Sequence, residues 1–132
     1  MKTRVASCRC GQFQAACSGE PIRVSVCHCL GCQKRSGSAF AVQARWPREN
    51  ISFTGNEQTW SRITSSGSRT TYRLCPTCGS TIAFASESMP AVIAIPVGAF
   101  ANPGFPAPTF SVFEESKHAW LAVVGDGIEH RG

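Results

Sequence analysis

Cys75-Pro76-Thr77-Cys78-Gly79 and Cys8-Arg9-Cys10-Gly11 are two cysteine turns, each closed by glycine, in a chain of 132 residues. Thiols two or three positions apart on a tight turn are placed to chelate one ion together rather than to cross-link distant segments. Glycine after the last cysteine permits the positive φ that turns the chain away from the sulfurs. Four thiolates on one divalent ion complete its coordination, so this pair of turns predicts a structural site that ties the N-terminal strand to the middle of the chain. A redox-active Cys75-x-x-Cys78 pair is the competing reading, and it leaves Cys8 and Cys10 without a role.

The third cluster is Cys27-His28-Cys29-Leu30-Gly31-Cys32, which brings the clustered cysteines to seven of the eight present. Three sulfurs leave a four-coordinate ion one ligand short, and an incomplete site of this kind is where zinc does chemistry. Water, a substrate thiolate or another protein group can fill the gap. Within the chain the candidates are His28, whose side chain should point away from an ion shared by its two neighbours, and Cys17. The latter stands in a strand-like stretch, where free cysteine behaves as a small buried hydrophobe.

The rest of the chain reads as a compact, mainly β host, predicted as one domain over residues 1–132. Apolar residues make up 42% and charged residues 16%, values typical of a globular protein with a core of its own. Segments 11–16, 22–26, 39–45, 51–54, 70–74, 81–85 and 92–97 are short, rich in Val, Ile, Phe, Tyr and Thr, and punctuated by Gly, Pro, Asn or Ser. A single helical turn is expected over 29–36, stopped by Gly37. Pro103, Pro106 and Pro108 mark a stiff loop before structure resumes at Phe110.

Some functional classes are excluded by composition. No apolar run of ~18 residues spans a membrane. The start of the sequence carries no apolar signal segment, so free thiols and metal thiolates in a reducing cytoplasm are expected. Seven thiolates and two divalent ions lower the formal charge of +5 to +2. The basic residues are dispersed and form no stripe, which argues against a nucleic-acid binder.

The ordered set Cys8-x-Cys10-Gly11, Cys27-His28-Cys29-x-x-Cys32-x-Lys34-x-Ser36-Gly37-Ser38-Ala39-Phe40 and Leu74-Cys75-x-x-Cys78-Gly79 resembles the glutathione-dependent formaldehyde-activating enzyme family, which includes the centromere protein V-like proteins. Ser116-Lys117-His118-x-Trp120 and Asp126-Gly127 resemble its C-terminal signature. Ala119 and Ser111 depart from it, standing where proline is frequent and where some members carry histidine. The resemblance implies a β-tent fold of small antiparallel sheets with zinc-binding cysteine turns. It further implies a structural zinc on Cys8, Cys10, Cys75 and Cys78 and a catalytic-type zinc on Cys27, Cys29 and Cys32.

The implied activity is that of a carbon–sulfur lyase, which adds glutathione or a related thiol to formaldehyde or another small electrophile. A non-catalytic zinc-stabilised binding module is the alternative. Lys34 and Arg35 follow the open cluster and are candidates for the carboxylates of a glutathione-like tripeptide; ordinary solvated charges are the plainer reading. Ser36 offers a hydroxyl beside them. His118 is a candidate proton shuttle or a structural histidine. Phe40, Trp46, Trp60 and Trp120 are expected in the core or a pocket wall.

Overall fold

In the computed structural model the described residues, 2–132, form eleven strands in two sheets. The first sheet joins β1 (Thr3–Ser7), β2 (Gln14–Ser18) and β5 (Ile51–Thr54) in the order β1-β2-β5, antiparallel throughout. The second contains β3 (Arg23–Cys27), β4 (Ala41–Pro47), β6 (Gln58–Ile63), β7 (Arg69–Leu74), β8 (Thr81–Ser86), β9 (Val92–Pro96), β10 (Phe110–Val112) and β11 (Glu129–His130). Its order is β11-β10-β3-β4-β9-β8-β7-β6. The chain is thus mainly β, with the two sheets leaning together as a tent. The larger sheet refines the expected picture, because β10 runs parallel to both β3 and β11. No helix among the described residues is long and apolar enough to cross a membrane.

The core lies where the sheets meet. Phe13, just before β2, and Ala15 and Cys17 within it pack with Ala44, Trp46, Ile82 and Ile95 from the second sheet, all fully buried. Trp46 ties the layers with a polar contact as well, since its indole N–H donates to the Gly19 carbonyl at 3.0 Å. The proline loop contributes Phe105, which meets Trp46 edge-on at 6.4 Å. Trp60 and Trp120 are not core residues. Trp60, on the edge strand β6, leans on Tyr72 at 5.6 Å, and Trp120 leans on His118 at 5.2 Å; both rings are mostly exposed.

Local chemistry accounts for the element ends. The expected strand at 11–16 begins only at Gln14, because the first cysteine turn extends to Phe13 through a bond from the Cys8 amide to the Phe13 carbonyl (2.9 Å). The single α-helix among the described residues, α1 (Leu30–Ser36), is capped by the Cys29 sulfur, which accepts from the Cys32 amide at 3.3 Å. It stops at Gly37, whose φ of 70° lets its amide return to the Gln33 carbonyl. Lys34 and Arg35 in its last turn suit the negative end of the helix dipole.

Candidate metal centres and the cavity beside them

Two hairpin tips, one from each sheet, build the first centre. The β1–β2 turn carries Cys8 and Cys10 and the β7–β8 turn carries Cys75 and Cys78. The four sulfurs lie within 4.8 Å of one another. Cys8 Sγ is 3.6 Å from Cys10 Sγ, which is 3.7 Å from Cys75 Sγ. A tetrahedron of sulfurs ~2.3 Å from a zinc ion has edges of about 3.8 Å, so the donor set and its spacing fit that ion. Gly11 and Gly79 adopt φ of 88° and 81°, as the closing of each turn requires.

Amides are aimed at these sulfurs. Phe13 N–H donates to Cys8 Sγ at 3.3 Å, and the amides of Thr77 and Cys78 donate to Cys75 Sγ at 3.4 and 3.5 Å. The Ser80 hydroxyl and amide pull the Cys78 thiol down to about 5, favouring its thiolate. Gln12 adds a side-chain N–H to Cys75 Sγ at 3.0 Å. That side chain is itself held by Asn56, whose carbonyl accepts its amide at 2.8 Å and whose own N–H donates back at 2.8 Å.

Gly55 makes the clasp possible. Its φ is 96°, and a Cβ there would fall 1.9 Å from the Gln12 carbonyl oxygen. Gly55→Ala is therefore expected to push Gln12 off the centre and cost about 2–4 kcal/mol through backbone strain and overpacking. Thermal unfolding should show a midpoint lowered by roughly 10 °C, and the first centre should lose its ion faster to a chelator. An unchanged melt and unchanged release would remove Gln12 from the account.

The second centre sits at the end of β3. Cys27 is its last residue, Cys29 caps α1 and Cys32 lies in the helix's first turn, and their sulfurs also gather within 4.8 Å. Cys27 and Cys32 differ in how readily they give up a proton. A hydrogen bond from Cys32, joined by the Cys29 amide, pulls the Cys27 thiol down to about 6 against the effect of burial, while the same contact and burial push Cys32 up.

Neither in-chain candidate for a fourth ligand joins this group. Cys17 is buried in the first sheet, where burial raises its thiol to about 12. His28 is fully buried and points away, its Nε2 2.9 Å from Ser111 Oγ; burial lowers its pKa, which keeps it neutral. The backbone around it is pinned by Gln33. That side chain donates to the carbonyls of His28 and Ser116, at 2.9 and 3.2 Å, and its Oε1 meets His118 Nε2 at 2.9 Å. His118 is thus engaged in holding α1 to the loop that follows β10.

A cavity of about 500 Å³ opens beside the second centre, lined in part by Cys27, Cys29 and Cys32. Its other walls carry four arginines, Arg23, Arg45, Arg62 and Arg131, together with Gln43, Tyr72 and Phe84. Lys34, Arg35 and Ser36 are absent from that lining. Lys34 is exposed on α1, Arg35 lies over the far-reaching ring of Phe84 at 4.9 Å, and Ser36 Oγ donates to the Cys32 carbonyl at 2.8 Å. The arginines went unnoticed at the sequence level, although alternation along residues 23–27 places Arg23, Ser25 and Cys27 on one face.

The fold and its two sulfur clusters define a mainly β protein with two candidate metal-binding centres, one of four cysteines and one of three. Residues 3–116 match the family described as glutathione-dependent formaldehyde-activating enzyme, and the chain belongs to that family. No curated protein matches the chain. Among solved structures, a Rhodobacter sphaeroides protein is similar to it with a TM-score of 0.57 and 18% identity. That match covers 77% of this chain and 90% of the other and shows a shared fold.

Proposed function

We propose that the chain, acting as one domain, is a zinc-dependent enzyme of carbon–sulfur bond chemistry, adding glutathione or a related thiol to formaldehyde or another small electrophile. The observation that carries this reading is the three-cysteine centre set in the wall of a cavity large enough for a small ligand. Cys8, Cys10, Cys75 and Cys78 would hold a structural zinc, and Cys27, Cys29 and Cys32 a second ion with one position left for a ligand. Zinc bound there supplies a lowered thiol pKa and a fixed point for the sulfur.

The protein's own groups do the remainder. A free thiol of pKa ~8.5 is a few per cent ionised near neutrality, so full ionisation gains at most ~30-fold. Positioning must therefore supply most of the acceleration. The Gln33 bonds keep the Cys27–Cys29 turn in place, and the arginines of the wall favour an anionic thiol and its thiolate form. The three thiolates temper the ion's Lewis acidity, which suits capture of a thiol better than activation of water. Lys34, Arg35 and Ser36 are kept as secondary contacts for a ligand that extends past the cavity over α1.

Formaldehyde exchange with its glutathione adduct, followed by NMR on metal-loaded protein, tests the assignment. The enzyme should accelerate exchange well above the protein-free mixture at equal thiol. Exchange at the protein-free rate would remove the formaldehyde reaction.

A further inference from the structure

The three-cysteine centre stands at one end of a row. A pleated strand sends alternate residues to the same face, so Arg23, Ser25 and Cys27 of β3 share one. Their neighbours on β4 follow the same register, with Gln43 opposite Ser25 and Arg45 opposite Arg23. All five line the cavity. Away from Cys27, in steps of two residues or ~6.6 Å, the wall offers first the Ser25/Gln43 pair and then the Arg23/Arg45 pair.

Among the described residues this row has no carboxylate partner. Gln43 is 3% exposed, and its Oε1 accepts no hydrogen bond. Buried amide oxygens are almost always satisfied, so an orphan on a side chain that lines the cavity marks a missing donor. Arg45 is half-buried and donates to Ser25 Oγ at 3.0 Å. Among the described residues neither Arg45 nor Arg23 forms an ion pair with a carboxylate, whereas Arg131 is paired with Glu129. No Asp or Glu side chain lines the cavity. Arg23 stacks over the Phe110 ring at 3.7 Å.

We infer that Gln43, Arg45 and Arg23 form a specificity subsite, in which Gln43 Oε1 accepts an amide N–H and the two guanidiniums bind an anionic group of the ligand. The ligand class is an acidic, amide-bearing thiol, its acid a carboxylate or a phosphate. Recognition then lies on the sheet rather than on α1. The inference rests on the reading that a thiol enters at Cys27, Cys29 and Cys32, and its test separates the two.

Calorimetric binding to the metal-loaded chain is the experiment, with glutathione, its diethyl ester, S-methylglutathione, pantetheine and 4′-phosphopantetheine as probes. Charge-assisted hydrogen bonds of this kind predict that glutathione binds at least about tenfold tighter than its diester. Arg45→Gln and Arg23→Gln should each erase most of that preference, and Gln43→Leu should weaken acid and ester alike. Arg23 is exposed, so its variant keeps the test decisive should the Arg45 variant fold poorly. A matching preference for 4′-phosphopantetheine over pantetheine, with none for glutathione over its ester, assigns the subsite to phosphate. Equal affinity within both pairs overturns the subsite. So does a preference that survives both arginine variants, which is the result if Arg45 merely balances the thiolates. S-methylglutathione binding as tightly as glutathione, with the arginine dependence intact, overturns thiol capture and leaves the anion subsite standing.

Discussion

Cys8→Ser is expected to release the ion of the four-cysteine centre and to leave the chain without a cooperative thermal transition near ambient temperature. Cys8 is 3% exposed, and its sulfur joins the tips of two hairpins that belong to different sheets. It also accepts the Phe13 amide, and Phe13 is among the largest fully buried side chains of the core. A serine oxygen is a shorter and poorer zinc ligand, so both the ion and the amide lose their partner. Structural zinc contributes ~10–16 kcal/mol to folding in small finger peptides, against a net stability of ~5–15 kcal/mol for ordinary domains. Losing even half of such a term spends the margin. Circular dichroism melts with metal analysis would check this, and Cys17→Ala is the control. Cys17 is equally buried but lies outside both clusters, so its variant should keep full metal content and lose only ~1–2 kcal/mol. A Cys8→Ser protein with the parent melting point and full metal content would end the structural assignment.

Cys32→Ser should have the opposite signature. We expect the fold to persist, the second centre to lose its ion and the accelerated formaldehyde exchange to fall to the uncatalysed rate. The reason is placement: Cys32 lies in the first turn of a helix capped independently by Cys29 and Gly37, and it joins no second hairpin. The melting point should fall far less than for Cys8→Ser. If the variant keeps wild-type exchange, the three-cysteine centre has no part in the chemistry. If it unfolds like Cys8→Ser, the division into a structural and a reactive centre is wrong.

Much of this architecture is legible in the sequence. Spacing alone separated four sulfurs from three, since a thiol pair on a turn can act only with others that the fold brings near, and glycine after each turn marked where the chain leaves. Most central strands were legible because β-branched and aromatic residues recur along at least one of their faces. The edge strand Gln58–Ile63 was not, as its residues are mostly exposed and carry no apolar alternation. Phe110–Val112 and Glu129–His130 were hidden for another reason: strands of three and two residues owe their existence to the neighbour they pair with. The cavity wall was missed because proximity in sequence pointed to Lys34 and Arg35. The relevant neighbours of Cys27 are two and four residues upstream on the same pleat, and across the register on β4.

The two centres also differ in how far apart their ligands lie along the chain, and this sets an order of assembly. Cys27, Cys29 and Cys32 lie close together in sequence, so we expect them to take up an ion as soon as that loop leaves the ribosome. Cys10 and Cys75 are separated by 65 residues, and bringing them together requires closing a long loop, which disordered chain resists. The clip can therefore shut only once both hairpins exist, after residue 78 has been made, and we expect the local trio to take up scarce metal first. Cobalt added during refolding should colour the three-sulfur centre before the four-sulfur one, the two being told apart in the Cys32→Ser protein. Simultaneous filling would show that the sheets, not the sulfurs, gate metal entry.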